Sequence, residues 1–253
     1  MKKKLSIVLP VFNERKNIQK SIKSIFAQSK FLPNYEINII ISDGPSTDGT
    51  SELAKRIAKR NKRVFYLSCE KGLGIGLYKG HSYSLKVTKP DVMLQIDADG
   101  QVNPKVIVKL VMAIEEGNDL AIGSRFVKGG RNNLPLNRRI FSKGSSVICR
   151  TIMGPWDIQE FTNSARAFTP NLFKKINWGR IPWKDETFVM IPAFLNEAVI
   201  AGAKYKEVPL IFRNRSEGYS KNKVVSYTLN LILYAIKGRL VKRTIGKDES
   251  YII

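Results

Sequence analysis

The chain reads as an α/β protein with a mostly parallel central sheet flanked by helices. Three observations predict this. Short runs rich in Ile, Val and Leu recur through the first half. Helical patterns of about 10 to 15 residues separate them, and each run ends in a polar, often glycine-bearing turn.

The elements follow in order. Leu5–Phe12 is apolar enough for a strand covered on both faces, and Lys16–Gln28 places Ile18, Ile22 and Ile25 on one helical face. Glu36–Ser42 is a second strand, and Ser51–Asn61 a helix entered through "DGT", with Asp48 near its cap. Arg63–Ser68 is a third strand, followed by a glycine-rich turn and a helix running to about Val87. Asp91–Ile96 is a fourth strand. Pro104 opens a helix that ends near Gly117, and Leu120–Ser124 is a fifth strand. After Phe126 the rhythm breaks: "VKGGRNNLPLNRR" is a basic loop, Arg138–Met153 a helix and Val208–Arg213 a late strand. No linker composition or repeat divides the chain. Residues 1–223 are therefore expected to form one domain, with 224–253 a separate amphipathic, basic segment.

At 253 residues, with 43% apolar and 25% charged, the chain is globular rather than disordered. Its 43 Lys+Arg against 21 Asp+Glu leave a net charge of +22, a field that attracts anions. The sequence has no aromatic–basic RNA motif, and its acids cluster where an oligoanion would approach, so no nucleic-acid partner is expected. A single histidine, His81, argues against histidine metal sites and a Ser-His-Asp triad. Cys69 and Cys149 lack metal-ligand spacing and point to a reducing compartment. Met1-Lys2-Lys3-Lys4 precedes only Leu5–Val11, which predicts no secretory leader. The longest apolar stretch, Val224–Ile236, is too short for a span of about 20 residues.

In open parallel sheets ligands sit beyond the carboxyl ends of the strands. Here those ends are "PVFNE", "SDGPSTDG", "CEKGLG", "DADGQ" and "GSR". Period-two spacing puts Asp97, Asp99 and Gln101 on one side of an extended chain. Oxygen-only ligands suit a hard ion, Mg²⁺ or Mn²⁺. A solvated turn at Asp99-Gly100 explains the same residues equally well. Asp43 could accept from a nucleobase N–H or a ribose hydroxyl, whereas Asp48 reads as a helix cap. The glycines at 72, 74 and 76 fit neither a dinucleotide fingerprint nor a P-loop and are read as close packing, with Lys71 a possible phosphate contact. Arg125 follows a strand directly, and Arg215 and Lys221 flank Gly218 in "FRNRSEGYSK", where they could clamp a diphosphate.

The order of these motifs, from "VLPVFNE" through "SDGPSTDGT", "DADGQ" and "GSR" to "FRNRSEGYSK", resembles glycosyltransferase family 2. Within it, the late Arg-Gly-Ser-Lys run resembles the dolichyl- and polyprenyl-phosphate sugar transferases. The resemblance spans about Leu5 to Lys223 and implies a GT-A nucleotide-sugar-binding fold and an inverting, metal-dependent transfer. It implies that Pro10, Phe12 and Glu14 hold the base and ribose, and that Ile41 and Asp43 contact the base. Asp97, Ala98 (by backbone), Asp99 and Gln101 would surround metal and diphosphate. Arg125, Arg215 and Lys221 would neutralise the phosphates, and Arg131 and Arg138 would meet the acceptor.

The implied donor is GDP- or UDP-linked and the implied acceptor a polyprenyl or dolichyl phosphate. The implied location is the cytoplasmic face of a membrane, held peripherally or through a small membrane subunit. Leu229, Ile232, Leu233 and Ile236, followed by Lys237, Arg239, Lys242 and Arg243, have the spacing of an interfacial helix. They fit equally a terminal helix packed on its own domain. If the acceptor were a glycan hydroxyl, a carboxylate base would be required, and Asp157 and Glu160 are the candidates. The chain departs from the pattern at Phe12, where Tyr is usual, and in "SDGPST", which replaces D-D-G-S. "EFTNSARAF" stands where D-P-T-S-G-F-R-A-F is typical.

Overall fold

The computed structural model describes residues 2–184 and 188–213, together with Asn230 and Tyr234. Burial along the first strand sets the architecture. In β1 (Lys3–Val11), Leu5, Ile7, Leu9 and Val11 enter one hydrophobic cluster and Val8 enters another. A strand with apolar side chains on both faces needs cover on both.

The seven-stranded sheet supplies that middle layer, in the order β3-β2-β1-β4-β7-β5-β8. Its members are β2 (Tyr35–Asp43), β3 (Val64–Ser68), β4 (Val92–Gln95), β5 (Leu120–Ser124), β7 (Arg166–Phe168) and β8 (Tyr205–Pro209), with β1 between β2 and β4. All pairings are parallel except those of β7, which runs antiparallel to both β4 and β5. Two further short strands, β6 (Arg131–Asn132) and β9 (Ile211–Phe212), pair with each other.

Helices α1 (Arg15–Phe26), α2 (Thr50–Arg60) and α4 (Val106–Glu115) cover one face through Ile18, Ile22, Ile25, Ala54, Ile107 and Leu110. On the other face lie α3 (Leu73–Val87), α5 (Leu136–Met153), α6 (Pro170–Lys175) and α7 (Met190–Ile200), contributing Leu77, Cys149, Phe173 and Phe194 among others. Two α3 glycines are packing devices, as expected of Gly74. A Cβ on Gly80 would lie 2.6 Å from Val8 Cγ1, and one on Gly74 would lie 2.4 Å from the Trp183 carbonyl oxygen.

The first five strands and their helices match the sequence expectation to within a few residues. The second half differs. Val208–Arg213 is two strands, β8 beside β5 and β9 beside β6, and the sequence reading has no counterpart for β7, α6 or α7. In the segment 224–253 the described residues are Asn230 and Tyr234. Both are helical, and Tyr234 packs against the second hydrophobic cluster. Leu229, Ile232, Leu233, Ile236 and the basic residues after them lie outside the described residues.

The chain order places the crevice. β1 has β2 on one side and β4 on the other, so the connection from β1 to β2 through α1 and the connection from β3 to β4 through α3 run in opposite directions on opposite faces. A ligand is expected where they part, at the carboxyl end of β1.

Candidate active site

Three loops meet at this edge. The first two, after β1 and β2, are joined by polar ties. Parallel register sets Leu9 beside Ile41, Pro10 beside Ser42 and Val11 beside Asp43. Asn13 turns with φ of 54°, a conformation asparagine tolerates, and donates its backbone N–H to Ser46 Oγ at 2.9 Å. Its Oδ1 accepts from the Thr47 N–H at 2.8 Å. The Glu14 N–H donates to Thr50 Oγ1 at 2.9 Å, and the Arg15 N–H to Asp48 Oδ2 at 3.1 Å. Asp48 also accepts from the Thr50 N–H, which is the helix-entry role expected of it.

Asp43 is the hub of this pair of loops. Its Oδ1 accepts from Ser46 Oγ at 2.7 Å, and its Oδ2 accepts from Ser51 Oγ and, at 3.1 Å, from the Tyr66 hydroxyl. Burial, with the Asp43 charge adding to it, pushes the Tyr66 phenol up. Asp43 is thus buried and held by its own loop and by Tyr66 of β3, and Ser46, Ser51 and Tyr66 are members of the candidate site that sequence reasoning missed. A lone serine or tyrosine carries no pattern that would reveal such a role. Pro10, Phe12 and Glu14 are half-buried along the same rim, and Gly44 sits against the Phe12 ring. Ile41 differs: its side chain is fully buried in the core cluster beneath the site.

The third loop follows β4. Asp97 is half-buried, while Asp99 is only 6% exposed. Asp99 Oδ1 accepts from the Gln101 N–H at 3.0 Å, which curls the turn. The Ala98 carbonyl accepts from Ser21 Oγ of α1 at 2.6 Å, so its N–H is the backbone group it can offer a ligand. Gln101 Nε2 donates to the Arg213 carbonyl at 3.2 Å, and the Arg213 N–H donates to the Gln101 carbonyl at 2.7 Å. These bonds bring the chain after β9 to the acidic turn. Arg215 and Lys221, two and eight residues further on, lie outside the described residues.

β7 delivers the next set of contacts. Because it runs antiparallel to its neighbours, the residues before it lie at the carboxyl ends of β4 and β5. Ser164 Oγ donates to Asp97 Oδ2 at 2.6 Å. Glu160, fully buried, takes Arg125 in a two-pronged ion pair, Nε to Oε2 and Nη2 to Oε1, both at 2.7 Å. Arg125 Nη2 also donates to Thr162 Oγ1 at 2.7 Å, and the guanidinium lies 5.1 Å from the Phe212 ring centre. Burial alone would raise the Glu160 carboxyl, but the Arg125 charge and the hydrogen bonds outweigh it and hold the group below the usual carboxylate range. Arg125 is therefore at the expected edge, but Nη1 is its one guanidinium nitrogen outside these contacts. Arg131, in β6, and Arg138, in α5, are exposed.

The remaining candidates sort by place. Asp157 accepts from the Tyr205 hydroxyl at 2.9 Å, and Tyr205 pairs with Leu120 at the amino end of β5, away from the acidic turn. Among the described residues no three His, Cys, Asp or Glu side chains converge as a metal cage. The donor set that does exist, two carboxylates on one turn, suits a hard cation that keeps water or phosphate in its other positions.

Residues 6–178, more than half of the chain, match the model of the family described as Glycosyl transferase family 2. The chain belongs to that family. The dolichol-phosphate mannosyltransferase of Pyrococcus furiosus is 34% identical over 87% of this chain and 59% of its own length, so the chain spans less than two thirds of that relative. The polyprenol monophosphomannose synthase of Mycolicibacterium smegmatis is 28% identical, covering 92% of this chain and 88% of that protein. The mannosyltransferase PcManGT of Pyrobaculum calidifontis, solved with GDP-Man and Mn2+, overlays with a TM-score of 0.56 at 13% identity, over 95% of this chain and 74% of that one. That likeness is one of fold. The three-layer architecture of this family 2 chain is accordingly the GT-A fold that its motifs predict.

Proposed function

We propose that the chain is an inverting glycosyltransferase that moves a sugar of mannose or glucose type from a GDP- or UDP-linked donor to a polyprenyl or dolichyl phosphate. One observation carries this reading. The half-buried acidic turn, Asp97 to Gln101, stands at the carboxyl end of β4, where β1 and its neighbours diverge. The names of the relatives supply the substrate class to be tested.

Each loop then has a task. Pro10, Phe12 and Glu14 line the rim for base and ribose. Asp43 faces the base from a position its serine and tyrosine partners fix, and Ile41 supports it from below. Asp97 and Asp99, with Gln101 and the Ala98 N–H, hold the diphosphate end. Their all-oxygen donor set fits Mg²⁺ or Mn²⁺, which would supply positive charge to the departing nucleoside diphosphate. Arg215 and Lys221 are assigned to the same phosphates from the chain that Gln101 anchors. Arg125 contributes at most the two N–H groups of Nη1, because its charge is already balanced by Glu160.

The acceptor follows from two features. An acceptor phosphate is ionised near neutral pH and can itself displace the diphosphate at the anomeric carbon, so no strong base is required. A sugar hydroxyl would require one. Of the two candidates, Glu160 is buried in an ion pair and Asp157 sits at the other end of β5. The α5 helix carries Leu136, 68% exposed, with Ile140 and Val147 one and three turns on, beside exposed Arg138, Arg139 and Lys143. An apolar stripe flanked by cations suits the surface of an anionic bilayer, where a lipid phosphate resides. Among the described residues no helix is long and apolar enough to cross a membrane, so the proposed attachment is peripheral, at a cytoplasmic face or on a small membrane subunit.

The test is transfer from radiolabelled GDP-mannose and UDP-glucose to a polyprenyl phosphate in detergent with Mn²⁺. Label is expected in the organic extract. Label confined to water-soluble glycan would replace the lipid reading with transfer to a glycan hydroxyl.

A further inference from the structure

Beneath the acidic turn a polar chain links Asp97 to helix α3. Ser164, 6% exposed, donates its hydroxyl to Asp97 Oδ2 at 2.6 Å. Its own carbonyl accepts from Gln95 Nε2 at 3.0 Å. Gln95 belongs to β4 and is buried, and its Oε1 lies 3.3 Å from His81 Nε2 of α3. A carbonyl can only accept, so the Gln95 amide nitrogen must face Ser164 and its oxygen must face His81. His81 therefore donates from Nε2 and carries no proton on Nδ1, an atom that is buried with no hydrogen-bond partner. Its ring centre lies 4.8 Å from that of Phe168 and 5.8 Å from that of Phe173.

A buried histidine with one bare nitrogen is a costly way to fill space between aromatic rings. What it secures is the orientation of Gln95, which in turn fixes the backbone that presents Ser164. Asn163 fixes the other side, its Oδ1 accepting from the Ala165 N–H at 2.7 Å. The pattern that this loop resembles has glycine where Ser164 stands, and glycine has no hydroxyl to donate. The tie to Asp97 is a property of this chain.

We propose that Ser164 is a positioning residue for Asp97. It commits one lone pair of Oδ2 to a hydrogen bond and holds the carboxylate in a single rotamer for the cation and diphosphate. Groups that orient a metal-binding carboxylate change affinity by about tenfold to a hundredfold when removed. The proposal rests on the reading of Asp97 as a cation ligand, and the test separates the two.

Mn²⁺ binding is measured by the loss of its free-ion EPR signal, with GDP and separately with UDP present. The proteins are the full chain, Ser164→Ala, Ser164→Thr and Asp97→Asn, with metal-free thermal unfolding recorded for each. Ser164→Ala is expected to raise the half-saturating Mn²⁺ about tenfold or more with little change in metal-free unfolding, and Ser164→Thr, which keeps the hydroxyl, to restore it. Equal binding by Ser164→Ala while Asp97→Asn loses it would overturn the proposal and leave the metal reading standing. Equal loss in the alanine and threonine variants would mark a packing effect and also overturn it. Undiminished binding by Asp97→Asn would remove the metal reading, and this proposal with it.

Discussion

The two strand ends that flank β7 handle charge in opposite ways. Beyond β4, Asp97 and Asp99 share one turn, where Asp97 accepts from Ser164 and Asp99 from the Gln101 backbone. Beyond β5, Arg125 meets Glu160 in a buried two-pronged pair that Thr162 completes. Two carboxylates on one turn are a donor set that suits a hard cation, whereas a carboxylate and a guanidinium in contact balance each other. Position at the carboxyl edge is common to both. The sign of the charges gathered there separates a candidate ligand set from a pair that braces the loop.

The sharpest way to break this contrast is to remove one member from each side. Asp99→Ala is expected to lower sugar transfer by about 10³-fold, the equivalent of about 4 kcal/mol, while thermal unfolding stays close to that of the parent. Steady-state transfer rates and calorimetry check both halves, and a variant that transfers normally would return the acidic turn to an ordinary solvated loop. Glu160→Ala is expected to do the reverse in kind, costing about 3–5 kcal/mol of folding stability by stranding a buried guanidinium. Urea unfolding reads it. The paired change Arg125→Met with Glu160→Met is expected to recover most of that loss, because a buried pair replaced by apolar groups is often neutral.

A smaller effect comes from the histidine beneath the acidic turn. Burial drives the His81 pKa down to about 3, against about 6.5 in an unfolded chain. The unfolded state then binds a proton that the folded state refuses. Stability is fully present above about pH 6.5 and declines as pH falls toward 3, by up to about 1.4 kcal/mol per pH unit. As His81 is the only histidine, urea unfolding between pH 7 and 5 should show this slope in the parent and lose it in His81→Phe. The mildest expectation concerns the Asp43 hub: Tyr66→Phe removes one hydrogen bond and should cost about 1 kcal/mol, measured the same way.

The same contrast marks what could be read from the sequence. The first five strands announce themselves because each is a long apolar run followed by an amphipathic helix. α7 is buried on nearly every side, Asn196 and Glu197 included, so it has no helical stripe, and Pro192 in its first turn looks like a breaker. β7 is three residues, too short for any period, yet its reversed direction is what brings Glu160, Thr162 and Ser164 to the site edge. The acids were legible as chemistry because their spacing is unusual. Their supports were not, since serine, threonine and glutamine acquire these roles only when distant segments meet. Arg125 was legible as a placed cation, but its partner, 35 residues away, was not legible as its partner.

The central claim is that the acidic turn and the loops after β1 and β2 together bind a nucleoside diphosphate with a divalent cation. Thermal unfolding with GDP or UDP, with and without Mn²⁺, tests it most directly. At a ligand concentration of about 100 times Kd, binding to the folded state adds about 2.7 kcal/mol of stability. The account predicts a rise in unfolding temperature that requires nucleotide and Mn²⁺ together and disappears in Asp99→Ala. A rise of equal size in Asp99→Ala, or none in the parent with either nucleotide, would contradict it.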